Sequence, residues 1–332
     1  MKNLDKRLYL ASRYLLRKTD CNMPPLRMGV ELTNNCNLEC IMCPRGGMSR
    51  KIGNMDIAAF KRVIDQGKQG LEMVSLQDAG ESTLNPGLAE MIRYCKKNGV
   101  RTLLSTNATL LRGKLAEDLV SSGLDYIIFA LDGATKETYE KIRIGADYDA
   151  VVSNIKNFIT EKKRRNVRLF CTLQCIYMDD TEKEIRQFVR MWNIPGVDAV
   201  RIRQITHGVD TGDPKQNKYS NIDYKLPCYW LWSDPYVKWD GTVVPCCQDV
   251  NADYVLGNII DKPMSEIWNC QKMQDLRNMH LKGGIGLVPL CKNCNMYKPK
   301  WPFILGSSFV GIMQLQKLVP FIESVICKRR YS

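Results

Sequence analysis

The chain has 332 residues, 45% apolar and 25% charged, with a net charge of +13, 14 cysteines and two histidines. That leaves room for one large domain and a smaller one, and no run of roughly 18 apolar residues offers a membrane span. Two histidines argue against a histidine-rich metal site or histidine-based acid–base chemistry. So many cysteines, behind an N-terminus with no secretory pattern, point to metal ligation in a cytoplasmic protein rather than a disulfide scaffold. The charge favours an anionic partner, either nucleic acid, membrane surface or phosphorylated substrate, against the plain alternative of a basic enzyme with no such partner.

Residues 4–18 read as a basic amphipathic helix, with Leu4, Leu8, Leu10, Ala11, Tyr14 and Leu15 among Lys6, Arg7, Arg13, Arg17 and Lys18, closed by Pro24 and Pro25. Packing on the barrel is its first reading and peripheral membrane contact its second. β-Rich runs follow at 27–33, 72–77, 100–105, 125–131, 167–175 and 197–203. Helical periodicity fills 56–69, 86–98, 110–122, 135–165 and 180–192. Six alternating units predict a parallel sheet with right-handed crossovers, either open or curled into a barrel. In parallel barrels the chemistry gathers at the C-terminal strand ends. Here those ends read Glu31-Leu32-Thr33, Gln77-Asp78-Ala79-Gly80-Glu81-Ser82, Ser105-Thr106-Asn107, Asp132-Gly133, Gln174 and Arg203-Gln204. Helix capping accounts for some of this polarity, with Thr135 as an N-cap and Thr138 in the first turn.

The first strand runs into Asn35-Cys36-Asn37-Leu38-Glu39-Cys40-Ile41-Met42-Cys43-Pro44. Three cysteines at this spacing converge on one metal centre from a single loop. A closed zinc site or an ordinary four-iron cluster takes four protein ligands. Three thiolates on a four-iron cluster leave one iron open to a small molecule. A zinc knuckle with a distant fourth ligand is the competing reading.

After strand six the pattern breaks, and a boundary is read at 208. Cys228, twelve residues to Gly241 and four more to Cys246 then precede Cys291-x2-Cys294. Residues 237–244 read as a hairpin around Asp240-Gly241, which returns Cys246 towards Cys228. Four thiolates make a closed site for zinc or a fully ligated cluster. Cys21, Cys95, Cys171, Cys175, Cys270 and Cys327 read as small buried apolar side chains. The glycine-rich 282–286 reads as a loop. The tail, 301–332, reads as an amphipathic helix with a basic end, docked on the core or touching a membrane interface.

These motifs together resemble the radical S-adenosylmethionine (SAM) superfamily. The C-x3-C-x2-C loop carries the resemblance in the first part, and the C-x(9–15)-G-x4-C start resembles the SPASM family in the second. The resemblance implies a partial (β/α)6 TIM-like barrel at 27–207, a small C-terminal α+β iron–sulfur domain at 208–300, and flanking segments at 1–26 and 301–332. It implies that Cys36, Cys40 and Cys43 hold a [4Fe-4S] cluster whose open iron chelates SAM. Met42 would stand against adenine. Gly80 and Glu81, in a partial Gly-Gly-Glu match with Ala79 for the first glycine, would hold the SAM amino group. Asn107, in a Thr-Asn-Gly match with Ala108 for glycine, would lie near SAM or substrate. Arg143 would meet the SAM carboxylate, with a plain surface arginine as the alternative. Cys228, Cys246, Cys291 and Cys294 would hold one auxiliary [4Fe-4S] cluster. The C-x5-C-x3-C continuation is missing, so the resemblance is to the shortened twitch form, without a second auxiliary cluster. Cys247 reads as an inert thiol, an alternative ligand or a hydrogen-atom donor.

The function so implied is reductive SAM cleavage to a 5′-deoxyadenosyl radical and hydrogen abstraction from an unactivated C–H bond. Dehydrogenation or epimerisation of a carbohydrate-like or phosphorylated small molecule is the first reading, and a peptide- or protein-modifying maturase the second. A low-potential donor such as flavodoxin or ferredoxin would supply the electron. A zinc-binding, nucleic-acid-associated protein is the alternative of another class. It is disfavoured because no basic stripe interleaved with aromatics occurs.

Overall fold

The first helix, α1 (Lys2–Leu15), stops well before the prolines assigned to end it, and Arg17 leaves it in the left-handed region at φ 54°. The structure, a computed structural model, describes residues 2–68, 70–204, 226–292 and 294. The boundary at 208, His207, Cys327 and the segment 301–332 lie outside the described residues. The strands are β1 (Arg27–Val30), β2 (Met73–Leu76), β3 (Arg101–Thr106), β4 (Tyr126–Ala130), β5 (Phe170–Tyr177) and β6 (Ala199–Gln204), with β7 (Tyr236–Val237), β8 (Thr242–Val244) and β9 (Gly257–Asn258) following. Between the first six lie α2 (Ile57–Gly67), α3 (Leu88–Lys97), α4 (Gly113–Ser121), α5 (Lys136–Ile142), α6 (Tyr148–Arg164), α7 (Asp179–Glu182) and α8 (Ile185–Met191). The chain continues into α9 (Met264–Trp268) and α10 (Gln271–Leu281).

The first six strands form a parallel sheet with helices in the five connections between them, as the alternation predicts, and fit the partial barrel that the resemblance implies. Burial alternates along β2, β3 and β4, so the two faces are distinct. Val30, Val74, Leu76, Leu104, Ile127, Phe129 and Leu173 are sealed under the helices. The register gives the other face one row through Tyr236, Gly29, Ser75 and Leu103. Two residues further along each strand, that face carries Lys238, Glu31, Gln77 and Ser105. This half-open face lines the barrel lumen.

Two predicted helices are each split. The stretch read as one helix over 135–165 breaks after Ile142, because Gly145 sits at φ 93° and Asp147 starts α6 by accepting from Ala150 N at 3.0 Å. The stretch 180–192 breaks before α8, where the Glu184 carboxylate turns to the N-terminus of α5. It accepts from Ala134 N at 2.7 Å and from Thr135 Oγ1 at 2.6 Å, beside the predicted Thr135 cap. The loop assigned to 282–286 contains a 3-10 turn, Gly284–Leu287.

The hairpin around Asp240-Gly241 forms, but it does not stand apart. β7 pairs in parallel with β1, giving a continuous sheet in the order β6-β5-β4-β3-β2-β1-β7-β8-β9. α1 also spans both parts. Arg7 Nε donates to Glu72 Oε1 at 2.9 Å on the barrel side, and Tyr14 Oη donates to Pro227 O at 2.8 Å on the other.

Candidate active site

The cysteine loop is positioned by the strand ends around it. Behind it, Asn34 Oδ1 accepts from Gly53 N at 2.9 Å and Asn34 Nδ2 donates to Lys51 O at 2.9 Å, so a buried amide holds the loop's base. Glu39 N donates to Ile144 O at 3.0 Å and Ile41 N to Ile142 O at 3.1 Å. The break after α5 therefore presents its carbonyls to the loop. Cys43 N closes a turn onto Cys40 O at 3.0 Å. Cys36 and Cys40 are half-buried, Cys43 and Ile41 exposed, and Met42 half-buried beside them.

The three thiols lie within each other's field. Burial raises the Cys36 thiol, and the Leu38 backbone partly offsets this. Burial also raises Cys40, against the pull of Arg143. Cys43 pushes both upward. Deprotonating thiols raised in this way needs a cationic group that takes them as thiolates. Among the described residues, no three His, Cys, Asp or Glu side chains gather at the spacing of a single metal ion. In a multi-iron cluster the thiolates sit on separate irons.

Gly80 rests on the loop. A Cβ there would stand 2.2 Å from Thr33 O and 2.6 Å from Asn35 O, so no other residue fits. Glu81 N donates to Asn35 O at 2.8 Å. The Glu81 carboxylate turns inward, accepting from Thr83 Oγ1 at 2.7 Å, Thr106 Oγ1 at 2.8 Å and Asn107 N at 2.7 Å. It staples the ends of β2 and β3 together. Asn107 continues the chain of bonds, its Nδ2 donating to Asn37 Oδ1 at 3.0 Å inside the cysteine motif. Ala108, standing where the family pattern has glycine, adopts φ 60°.

Arg143 is buried, which removes the surface-arginine alternative. Its Nε and Nη2 donate to Asp132 Oδ2 at 2.9 and 2.5 Å, and its Nη1 points to Cys40 Sγ at 3.7 Å. Asp132 Oδ1 accepts from Ile176 N at 2.7 Å, so the carboxylate is fully engaged. Gln174, read as a strand end, lies inside β5, which runs on to Tyr177, and keeps a buried Oε1 without a partner.

The second cysteine set converges from three segments. Cys228 heads the 3-10 turn Tyr229–Trp232, Cys246 follows β8, and Cys291 and Cys294 share a turn in which Cys294 N donates to Cys291 O at 3.0 Å. Burial and then Cys294 and Cys291 raise the Cys228 thiol. Burial and then Cys247, Cys228 and Cys294 raise Cys246. Burial and then Cys294 push Cys291 up to about 12. Each thiol thus feels others of the set, the arrangement a shared cluster needs.

Sequence reasoning saw Glu31 and Asp78 as polar strand ends but missed the group of four charges that they form with Arg50 and Lys238. Glu31, wholly buried after β1, is held by Arg50 Nη1 and Nη2 at 2.9 and 2.6 Å. Lys238, wholly buried after β7, donates to Asp78 Oδ2 at 2.5 Å, and the Asp78 side chain is 3% exposed. Burial outweighs the lysine's pull and raises the Asp78 carboxyl to about 7. Cys247 lies beside this group: burial and then Asp78 and Cys294 push its thiol up to about 12, against hydrogen bonds from Tyr236 and Gln248. Asp78 was visible in the sequence as a polar strand end; Lys238, inside a β-branched hairpin, carried no such signal.

A comparison with protein families matches the Radical SAM superfamily over residues 30–191 and the SPASM iron–sulfur cluster-binding domain over residues 228–295. The chain belongs to the radical SAM superfamily and carries a C-terminal iron–sulfur cluster-binding domain. It is 24% identical over 311 residues to the tungsten-containing aldehyde ferredoxin oxidoreductase cofactor-modifying protein of Pyrococcus furiosus, covering 80% of this chain and 86% of that one. It is also 24% identical to the S-adenosyl-L-methionine-dependent 2-deoxy-scyllo-inosamine dehydrogenase of Niallia circulans, covering 80% and 91%. Among solved structures, Streptococcus suis SuiB bound to precursor peptide SuiA superposes with a TM-score of 0.62 at 17% identity, over 79% of this chain and 68% of that one. The family's cofactors are a SAM-binding [4Fe-4S] cluster and auxiliary iron–sulfur chemistry, and its members are SAM-dependent radical enzymes.

Proposed function

We propose that this enzyme abstracts hydrogen from a carbohydrate-like small molecule held in the lumen between the two cysteine sets. One arrangement carries the reading: the lumen row ending in Glu31 and Lys238 lies on the paired strands β1 and β7, of which β1 runs into the loop of Cys36, Cys40 and Cys43 and β7 turns through β8 to Cys246 of the second set. The first cluster, when bound, supplies the electron that cleaves SAM to a 5′-deoxyadenosyl radical. Gly80, Asn107 and the Glu81 staple hold the walls of the SAM pocket, and Arg143 sets the charge beside Cys40. Met42 lines the side assigned to adenine.

Dehydrogenating an alcohol carbon removes one hydrogen atom, then one proton and one electron. Cys228, Cys246, Cys291 and Cys294 would hold the cluster that could accept the electron, and Asp78 beside Lys238 is placed to take the proton. Epimerisation instead returns a hydrogen atom, for which Cys247 is the donor in reach of the same group. The names of relatives and structural neighbours include a small-molecule dehydrogenase and peptide-acting proteins, so a peptide maturase is the second reading. After Cys294 only Cys327 follows, which favours one auxiliary cluster rather than two. A flavodoxin or ferredoxin supplies the reducing electron. Among the described residues no helix is long and apolar enough to cross a membrane. Peripheral contact with a membrane's inner face rests on the exposed Leu8, Leu15 and Leu16 of the basic N-terminal segment.

Anaerobic reconstitution tests the assignment. About eight irons per chain, for two four-iron clusters, together with 5′-deoxyadenosine formed from SAM and dithionite, are expected. Zinc without SAM cleavage would overturn it. Once a substrate is in hand, Cys247→Ala separates the outcomes: if Cys247 is a donor, solvent deuterium ceases to enter product while SAM cleavage continues.

A further inference from the structure

α10 sets Arg277 and His280 one turn apart, and both side chains reach the 3-10 turn that starts at Cys228. Arg277 Nε donates to Leu231 O at 2.9 Å, and Cys228 N donates to His280 Nδ1 at 3.3 Å. An imidazole nitrogen that accepts a hydrogen bond carries no proton, so the ring's proton sits on Nε2. His280 is 3% exposed, and Nε2 is buried without a hydrogen-bond partner. Buried donors are almost always satisfied, and each exception asks for an explanation. The group that belongs beside Cys228 is the auxiliary cluster, whose sulfur atoms are acceptors. Arg277 also keeps an unpartnered nitrogen, Nη2. However, its guanidinium stacks on Trp268 at 4.5 Å and holds Thr19 O, in the field of Cys21 and Cys270 rather than of the four ligands.

We propose that His280 is a positioning residue of the auxiliary cluster: Nδ1 fixes the Cys228 main chain, and Nε2–H is given to a cluster sulfur. The inference rests on the assignment of Cys228 as a ligand. A donor aimed at cluster sulfur stabilises the more negative, reduced state and raises the reduction potential. His280 thereby suits this cluster to receive an electron from a substrate radical.

The test uses the full chain with Cys36→Ala, Cys40→Ala and Cys43→Ala, so that only the auxiliary cluster is loaded. Potentials are measured by EPR-monitored titration for this parent and for its His280→Leu and His280→Gln forms. Glutamine keeps one acceptor and one donor; leucine keeps neither. The expected result for His280→Leu is a reduction equilibrium about tenfold less favourable, a drop of about 59 mV for one electron. A smaller drop is expected for His280→Gln. ENDOR on the reduced parent should show an exchangeable-proton coupling that His280→Leu lacks. A potential unchanged in His280→Leu with iron retained overturns the proposal, as does an equal drop in both forms. If His280→Leu loses its iron, the loaded His280→Gln form decides: keeping the exchangeable coupling supports the donor role, and losing it overturns it. Separately, full iron in Cys228→Ala would overturn the ligand assignment itself.

Discussion

Lys238 and Asp78 are a lysine and an aspartate sealed together, and the energetics of such a pair are asymmetric. Desolvating both charges offsets most of their attraction, while leaving either one alone is costly. Lys238→Met is therefore expected to lose about 3–5 kcal/mol of stability, and the double change Asp78→Leu with Lys238→Met to recover most of it. Denaturant unfolding of the reconstituted protein measures both. The pH dependence has a definite sign. Asp78 already titrates well above the 3.8 of a free aspartate, so the folded chain holds that proton more tightly than the unfolded chain does. Stability from this group is present at acid pH and is lost as pH rises towards 7. Without Lys238 the carboxyl rises further, so the Lys238→Met deficit should grow with pH; a deficit independent of pH would contradict the arrangement. The sequence made half of this legible. Asp78 follows an apolar strand and stands out as polar, but its partner lies 160 residues away. Nothing in the spacing of Lys238 says which sheet edge its hairpin joins. Arg143 shows the converse: the motif located it, and only the fold shows that it is buried between Asp132 and Cys40.

At the scale of elements, the break between α5 and α6 matters most. A 3.6-residue periodicity runs through 135–165 and hides it, since both helices bury the same kind of face. The local signals were present in Gly145 and Asp147, but each is compatible with a helix surface. The break lets the carbonyls of Ile142 and Ile144 hold the loop bearing Cys36, Cys40 and Cys43. Gly145→Val forces a β-branched side chain into a left-handed conformation, at a cost of about 1–2 kcal/mol. The expected outcome is selective: the first cluster is lost while the auxiliary one is kept, leaving about four irons per chain. Iron analysis with EPR of the reduced protein checks this, and full loading of both sites would show that the loop does not depend on the break. The six parallel strands were read correctly because each carries its own periodicity and turn residues. The continuation of the sheet through β7 was not, because edge pairing is a long-range choice.

At the scale of the molecule, the two metal-bearing parts share one sheet and one N-terminal clasp. Tyr14 stacks edge-on against Tyr229 and Trp232 at 5.4 Å each, and Cys21 N donates to Asn269 Oδ1 at 2.7 Å. Anaerobic calorimetry is expected to give a single unfolding transition, with removal of the auxiliary cluster through Cys291→Ala lowering the whole transition. Two separated peaks would mean that the parts unfold independently.

The row in which the Tyr236 ring lies over Gly29 has a consequence for anyone exchanging parts between relatives. A Cβ on Gly29 would fall 2.1 Å from that ring. The barrel thus carries an imprint of its own C-terminal partner. A graft that brings in a foreign auxiliary unit must also bring a residue that fits over Gly29 and a cation that answers Asp78. Compatibility between donor and recipient is therefore decided at β1 and β2, deep in the acceptor, and not at the linker where the cut would be made.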